Sequence, residues 1–337
     1  MAEGRFTNPV VASLAGIRDF FARQQLESRF TDRDRADGKT VMVTGANSGL
    51  GLALAVEFAR RGARVIMAGR SKIPEAGERV GHVTGSDRVE MRYLDLSRIG
   101  TIHQFAENLR QDGTRIDIAI FNAAAALPGS RKTESGQDEM FLVNYLSNVI
   151  LSQLLIKNGI LKQGTPDLQS KIIFISSDSH RGATAIDYDE FGQYFEYGVS
   201  KGISNYSYFK LVLNTYATEL SRRINPHEVK LGINLICPGP VHSNIVKEAP
   251  WLLRMVLKGI FWVIFKSPAK ASRPVVYMAL SEDYRGTTNQ YLHMFNPKEM
   301  DPKVYDPTAG EKLWVRSMAL LQEIDPRFNE YGEAGSL

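Results

Sequence analysis

The stretch EYGVSKGISNYSYFK, residues 196–210, twice places a tyrosine four residues before a lysine: Tyr197/Lys201 and Tyr206/Lys210. Residues four apart share one helix face, so in either pair an ammonium can lie beside a phenol. A free phenol, with a pKa near ~10, is a poor acid–base group at neutral pH, and a neighbouring cation lowers that value. Such a phenol can give a proton to a carbonyl oxygen or take one from an alcohol. A second hydroxyl could stabilise charge on the same oxygen. IIFISSDSH offers two, Ser176 and Ser177, which strand alternation sends to opposite faces. Spacing alone leaves both choices open.

These side chains need a frame. From Lys39 onward short apolar runs alternate with segments of helical periodicity: TVMV, ARVIMA, VEMRYL, DIAIF, KIIFIS, KLGINLI and QYLHMF. Strand and helix in alternation imply crossover connections and a sheet covered on both faces. The pattern predicts an α/β chain: a single doubly wound Rossmann domain over 38–337 with a parallel seven-stranded sheet, preceded by a helical extension and linker over 1–37. VTGANSGLG follows the first strand and opens the first helix. Gly45, Gly49 and Gly51 there let the backbone turn tightly and approach a diphosphate at a helix N-terminus, with Asn47, Ser48 and Leu50 beside them. The second strand ends MAGRSK, offering Arg70 and Ser71 where an acidic residue would hold a ribose 2′-hydroxyl. A guanidinium there suits a 2′-phosphate, so NADP(H) is the expected cofactor. Asp95, followed by Leu96 in YLDLS, could accept from the adenine amino group or serve as a local cap.

Bulk properties narrow the class. With 43% hydrophobic and 23% charged residues the 337-residue chain is globular in composition, and a formal charge of +4 spread along it gives no nucleic-acid patch. The lone Cys237 excludes an internal disulfide and fits a reducing compartment, and the scattered histidines suggest no metal site. The first residues lack the pattern of a secretory signal; NPVVASLAGIRDFFARQQL reads as an amphipathic helix, and RQQLESRFTDRDRADGK as a solvated linker. PWLLRMVLKGIFWVIFK, residues 250–266, is too short to span a bilayer and reads as a helix covering a lipophilic cleft, packing in a core or dimer, or lying at a lipid interface.

TGANSGLG, YLDLS, FNAAA, FLVNYLSN, IIFISSDSH, YSYFK and CPGPVHSN occur in the order and spacing of the short-chain dehydrogenase/reductase family. SSDSHR, YSYFKLVLNTYATELSRR and EKLWVRSMALLQ resemble its branch of retinol dehydrogenases and WW-domain oxidoreductases, without WW domains. The resemblance implies that Tyr206 and Lys210 are the acid–base pair, because they run in register into the arginine pair and the following Pro-Gly, whereas Tyr197 falls in a variable loop. It further implies Ser177 rather than Ser176 as the oxygen-stabilising hydroxyl, Asn144 as the anchor of a proton-relay water, and Lys210 on the ribose hydroxyls. Asn122, Ala123, Pro238, Gly239, Val241 and Ser243 are the implied remaining cofactor contacts. Phe121 and Ala124 depart from the family's usual asparagine and glycine.

The expectation is an NADP(H)-dependent oxidoreductase interconverting a carbonyl and an alcohol on a retinoid, steroid or fatty carbonyl. Two rival readings are a nucleotide-sensing protein without turnover and a light-dependent reductase of the protochlorophyllide type. The partner expected is a lipophilic small molecule and not nucleic acid, with homodimerisation and peripheral membrane contact left open. The expected location is the cytoplasm, on a membrane or free of it.

Overall fold

The structure is a computed structural model that describes residues 24–166, 168–239 and 267–331. The expected N-terminal helix up to residue 23, the cleft-covering helix at 250–266, Val241 and Ser243 lie outside the described residues, and the last three residues of that expected helix, 24–26, are not helical. Among the described residues eight strands form one sheet in the order β3-β2-β1-β4-β5-β6-β7-β8. They are β1 Thr40–Thr44, β2 Arg64–Gly69, β3 Val89–Tyr93, β4 Ile118–Phe121, β5 Lys171–Ile175, β6 Gly232–Cys237, β7 Tyr291–His293 and β8 Asn296–Pro297. Seven pair in parallel as expected. The two-residue β8, antiparallel to β7, makes eight strands rather than seven. A proline in so short an edge segment hides it from a strand-pattern reading.

Helices cover both faces. On one lie α1 (Gly49–Arg60), α2 (Glu75–Thr84) and, from much later in the sequence, α6 (Pro268–Leu280). On the other lie α3 (Ile99–Gln111), α4 (Glu139–Lys157), α5 (Val199–Ile224) and α8 (Pro307–Ile324), the last entered through the single turn α7 (Pro302–Tyr305). The strands feed both layers by alternation. Ile172 and Phe174 of β5 face the α5 side, and Ile173 and Ile175 face α1 and α6. Chain order reverses between β1 and β4, which opens a crevice beyond their carboxyl ends where such sheets bind ligands.

Helix α4 is long and apolar enough to cross a membrane, yet residues 139–156 are all buried within the protein, so it is a core helix. Its Tyr145 hydroxyl shares a 2.5 Å hydrogen bond with Ser317 of α8. Behind it Tyr216 of α5 stacks on Trp314 at 5.9 Å.

The polar run before β1 is mostly exposed over its described part, as expected of a solvated linker, yet it is anchored at several points. Leu26 N–H donates to Phe295 O at 3.1 Å and Gln25 N–H to Asn296 Oδ1 at 2.8 Å. Phe30 is buried against Tyr277 and Phe295, which contributes roughly 2 kcal/mol. The Arg61 guanidinium covers that ring at 4.3 Å and donates to Thr31 O and Asp34 O. Residues 24–37 therefore form a strap packed on α1 and α6. Its charges concealed this because the groups that receive it lie far away in sequence.

Candidate active site

The loop between β1 and α1 is shaped by close approach. A Cβ on Gly51 would come within 2.6 Å of Asn122 Nδ2 and also collide with Gly45 O. Gly45, at φ +66°, leaves only 3.0 Å between such a Cβ and Ala123 Cα. Asn122 holds this arrangement: its Nδ2 donates to Thr44 O at 2.8 Å, and the N–H groups of Asn122 and Ala123 both donate to Thr44 Oγ1, at 3.0 and 3.1 Å. The Asn122 amide thus joins the tips of β4 and β1. Phe121, where the family usually has asparagine, is spent on the core, 4.8 Å from the Phe174 ring. Ser48 precedes α1 without capping it by a side-chain hydrogen bond, and the first turn carries no acidic residue. The N–H groups of that turn suit an external anion. Asn47 Nδ2 donates to Ser71 Oγ at 2.7 Å, tying this loop to the end of β2, and Leu50 turns into the core.

At the end of β2 the Arg70 side chain is 54% exposed, 3.6 Å from Glu139 and 3.9 Å from Asp95. Contacts so loose and solvated hold it weakly, leaving the guanidinium free to take a stronger anionic partner. Asp95 accepts from both the N–H and the hydroxyl of Ser97, which is the local-turn role. Leu96 beside it is buried.

The serine alternatives separate by the parity of β5. Ser176 continues the face of Ile172 and Phe174, is buried, and donates to Asn214 Oδ1 of α5 at 2.7 Å. Ser177 stands past the strand end, half-buried, its Oγ accepting from Ser179 N–H at 3.3 Å. Lys210, 2% exposed, donates from Nζ to Ile175 O at 2.8 Å, binding α5 to the same strand end two residues before Ser177. Its Nζ lies 5.6 Å from the centre of the Tyr206 ring. Burial holds the Lys210 ammonium down at about 8 and pushes the Tyr206 phenol up, with the Cys237 thiol, itself raised to about 11 by burial, nearby. Burial therefore opposes the lowering of the phenol's pKa that a neighbouring cation is expected to bring. Pro238 and Gly239 follow Cys237 directly at the end of β6.

The other tyrosine is occupied. Tyr197 donates to Asp138 Oδ2 at 2.9 Å, and burial together with that carboxylate pushes its phenol well above the usual value. Asp138 in turn caps α4 through Phe141 N–H. Lys201 is exposed and brings no cation to Tyr197 in any described contact. Asn144 lies in a π-helical turn, Leu142–Leu146, where such bulges commonly mark functional sites. Both ends of its amide pair with the backbone of Ala125, at 2.7 Å each. A relay water at this position would be held by main-chain groups.

A buried polar group behind Ser177 escaped the sequence reading, although SSDSHR carries it. Asp178 accepts from Tyr291 Oη at 2.7 Å and from Lys298 Nζ. Against the raising effect of burial, His293 and Lys298 hold its carboxyl down at about 2. His180 and Arg181 are buried alongside, Arg181 donating to Glu299 O.

The profile of the family described as short chain dehydrogenase matches residues 39–188. Human retinol dehydrogenase 14 is 32% identical over 319 residues, covering 89% of this chain and 91% of that protein. The chain belongs to the short-chain dehydrogenase/reductase family, in its retinol dehydrogenase branch. Mouse retinol dehydrogenase 13 is 30% identical, with 93% and 91% covered, and human polyprenol dehydrogenase 27% identical, with 85% and 86% covered. Among solved structures, a Mycobacterium paratuberculosis chain (24% identical, covering 87% of this chain and 97% of that one) superposes with a TM-score of 0.65. A Shigella flexneri chain complexed with NADP (21% identical, 78% and 99% covered) gives 0.57. As a member of this family the chain is an oxidoreductase of alcohol and carbonyl groups using a nicotinamide cofactor. Its sheet order and glycine loop fit that assignment.

Proposed function

We propose that this member of the family is an NADP(H)-dependent oxidoreductase that interconverts a carbonyl and an alcohol on a lipophilic substrate of retinoid, steroid or fatty type. The observation that carries the reading is the joint at which Lys210 grips Ile175 O, bringing the Tyr206 helix to the strand end that presents Ser177. The cofactor fits the residues present: a cradle that a Gly51 Cβ would fill, an uncapped helix start at Ser48, and the loosely held Arg70 for a 2′-phosphate. Gly45, Gly49, Arg70, Asn122 and Lys210 would hold NADP(H), which supplies hydride. Tyr206 moves the proton at the substrate oxygen, and Ser177 donates a hydrogen bond to it. Lys210 supplies positive charge beneath the phenol. Because burial alone raises the phenol, this proton transfer also depends on the positive charge of oxidised nicotinamide. The names of the retinol and polyprenol dehydrogenases support an isoprenoid-like alcohol or aldehyde as substrate.

The test is a panel of retinaldehydes, steroids and long-chain aldehydes with NADPH and NADH, followed at the cofactor absorbance band. Turnover with NADPH ahead of NADH on at least one lipophilic carbonyl is expected. No turnover on any of them would move the reading to a nucleotide sensor.

A further inference from the structure

Ser177 is followed by a 3-10 turn, Asp178–Gly182, that ends one wall of the site. Inside it His180 is fully buried, and its two ring nitrogens have opposite duties. Nδ1 lies 2.7 Å from Ser177 O, which can only accept, so Nδ1 carries the proton. Nε2 lies 3.1 Å from Asp301 N, which can only donate, so Nε2 carries none. The His180 N–H also donates to Ser177 O at 3.2 Å. One residue thus holds the Ser177 carbonyl twice and ties it to the start of α7, 121 positions later in the chain. The Tyr291 ring meets the imidazole edge-on at 5.6 Å.

We propose that His180 is a positioning residue for the candidate reaction: as a neutral imidazole of fixed tautomer it locks the Ser177 peptide, and so sets where the Ser177 hydroxyl points. The role rests on the proposed oxidoreductase function. His180 does not reach the reacting atoms. It acts by removing freedom from one of the two hydroxyls that must meet the substrate oxygen, where a displacement of about 1 Å can cost ~100-fold in rate. Burial, the first influence on the imidazole, holds its pKa down at about 4, in keeping with a neutral ring.

The variants are His180→Gln and His180→Leu in the full-length protein. A glutamine amide both donates and accepts and can replace both bonds; leucine replaces neither. With rates normalised to NADPH sites titrated by fluorescence, H180L is expected to lose roughly 10- to 100-fold in kcat while its NADPH Kd stays within about threefold. H180Q is expected to recover to within about fivefold of wild type. Amide exchange at 177–179 should quicken about tenfold in H180L with NADPH bound, and not in H180Q. An unchanged kcat per NADPH site in H180L, or H180Q as slow as H180L, overturns the proposal, since a merely structural histidine would lower Tm and folded yield instead. If the wild type reduces no carbonyl, the oxidoreductase reading fails by itself, and unchanged exchange in H180L overturns the lock. If H180L does not fold, the wild-type imidazole 15N spectrum decides: a neutral ring protonated at Nδ1 supports the lock, and an Nε2–H or doubly protonated ring overturns it.

Discussion

Replacing Lys210 by methionine should remove both the charge proposed to act on Tyr206 and an electrostatic burden on the fold. Lys210 is 2% exposed, and burial holds its pKa at about 8 against an ordinary 10.5. Its folded value lies below its unfolded one, so between about pH 8 and 10.5 the unfolded chain holds a proton that the folded one has given up. Unfolding there takes up a proton, and stability rises with pH through that window. The penalty of the buried ammonium is complete below pH 8. Worked from the two values, wild type should gain about 2 kcal/mol relative to Lys210→Met between pH 7 and pH 9.5. At pH 7 the variant escapes the desolvation cost, but it leaves Ile175 O unpaired at a cost of about 1–3 kcal/mol, so the two stabilities should lie close together. Urea unfolding of the cofactor-free proteins at several pH values reads the difference, and the titrations common to both cancel. A difference that is flat, or that falls with pH, would show that the ammonium is hydrated and that Lys210 does not lie in a desolvated site.

Other substitutions test the remaining parts of the site. Tyr206→Phe should lower turnover by ~100-fold or more with NADPH binding retained, whereas Tyr197→Phe should keep turnover within about tenfold and lose about 1 kcal/mol of stability with its Asp138 bond. Arg70→Ala should raise the KM for NADPH roughly 10- to 100-fold and leave that for NADH nearly unchanged; equal effects on both would remove Arg70 from the 2′-phosphate. Gly51→Ala must displace Asn122 or the Gly45 peptide and should cost about 1–3 kcal/mol, a Tm drop of roughly 2–5 °C, together with weaker NADPH fluorescence binding.

Local signals carried most of the frame. Strand alternation and the glycine turn after β1 are short-range patterns, and the structure repeats them in place. Choosing Ser177 over Ser176 rests on resemblance; the structure adds that Ser176 keeps the β5 parity and that its hydroxyl is taken up by Asn214. Tyr206 and Tyr197 could not be separated by spacing, because both have a lysine four residues on. What distinguishes them is Asp138, a carboxylate that meets Tyr197 across 59 positions. The same limit hid the buried group behind Ser177. Asp178 and His180 take their partners from Tyr291, Lys298 and Asp301, more than a hundred positions away, and no periodicity announces such contacts. The anchorage of the strap is hidden for a similar reason: one phenylalanine among many exposed charges decides its placement.

That strap also bears on the order in which the molecule can assemble. Gln25 reaches a partner 271 positions downstream, so during synthesis the 24–30 end of the strap leaves the ribosome early and cannot finish docking until Asn296 has emerged. Through that interval it must wait in water beside an unfinished nascent chain. The closely mixed acids and bases suit that wait, keeping the segment hydrated and unattractive to other half-made chains until the last strand offers it a berth.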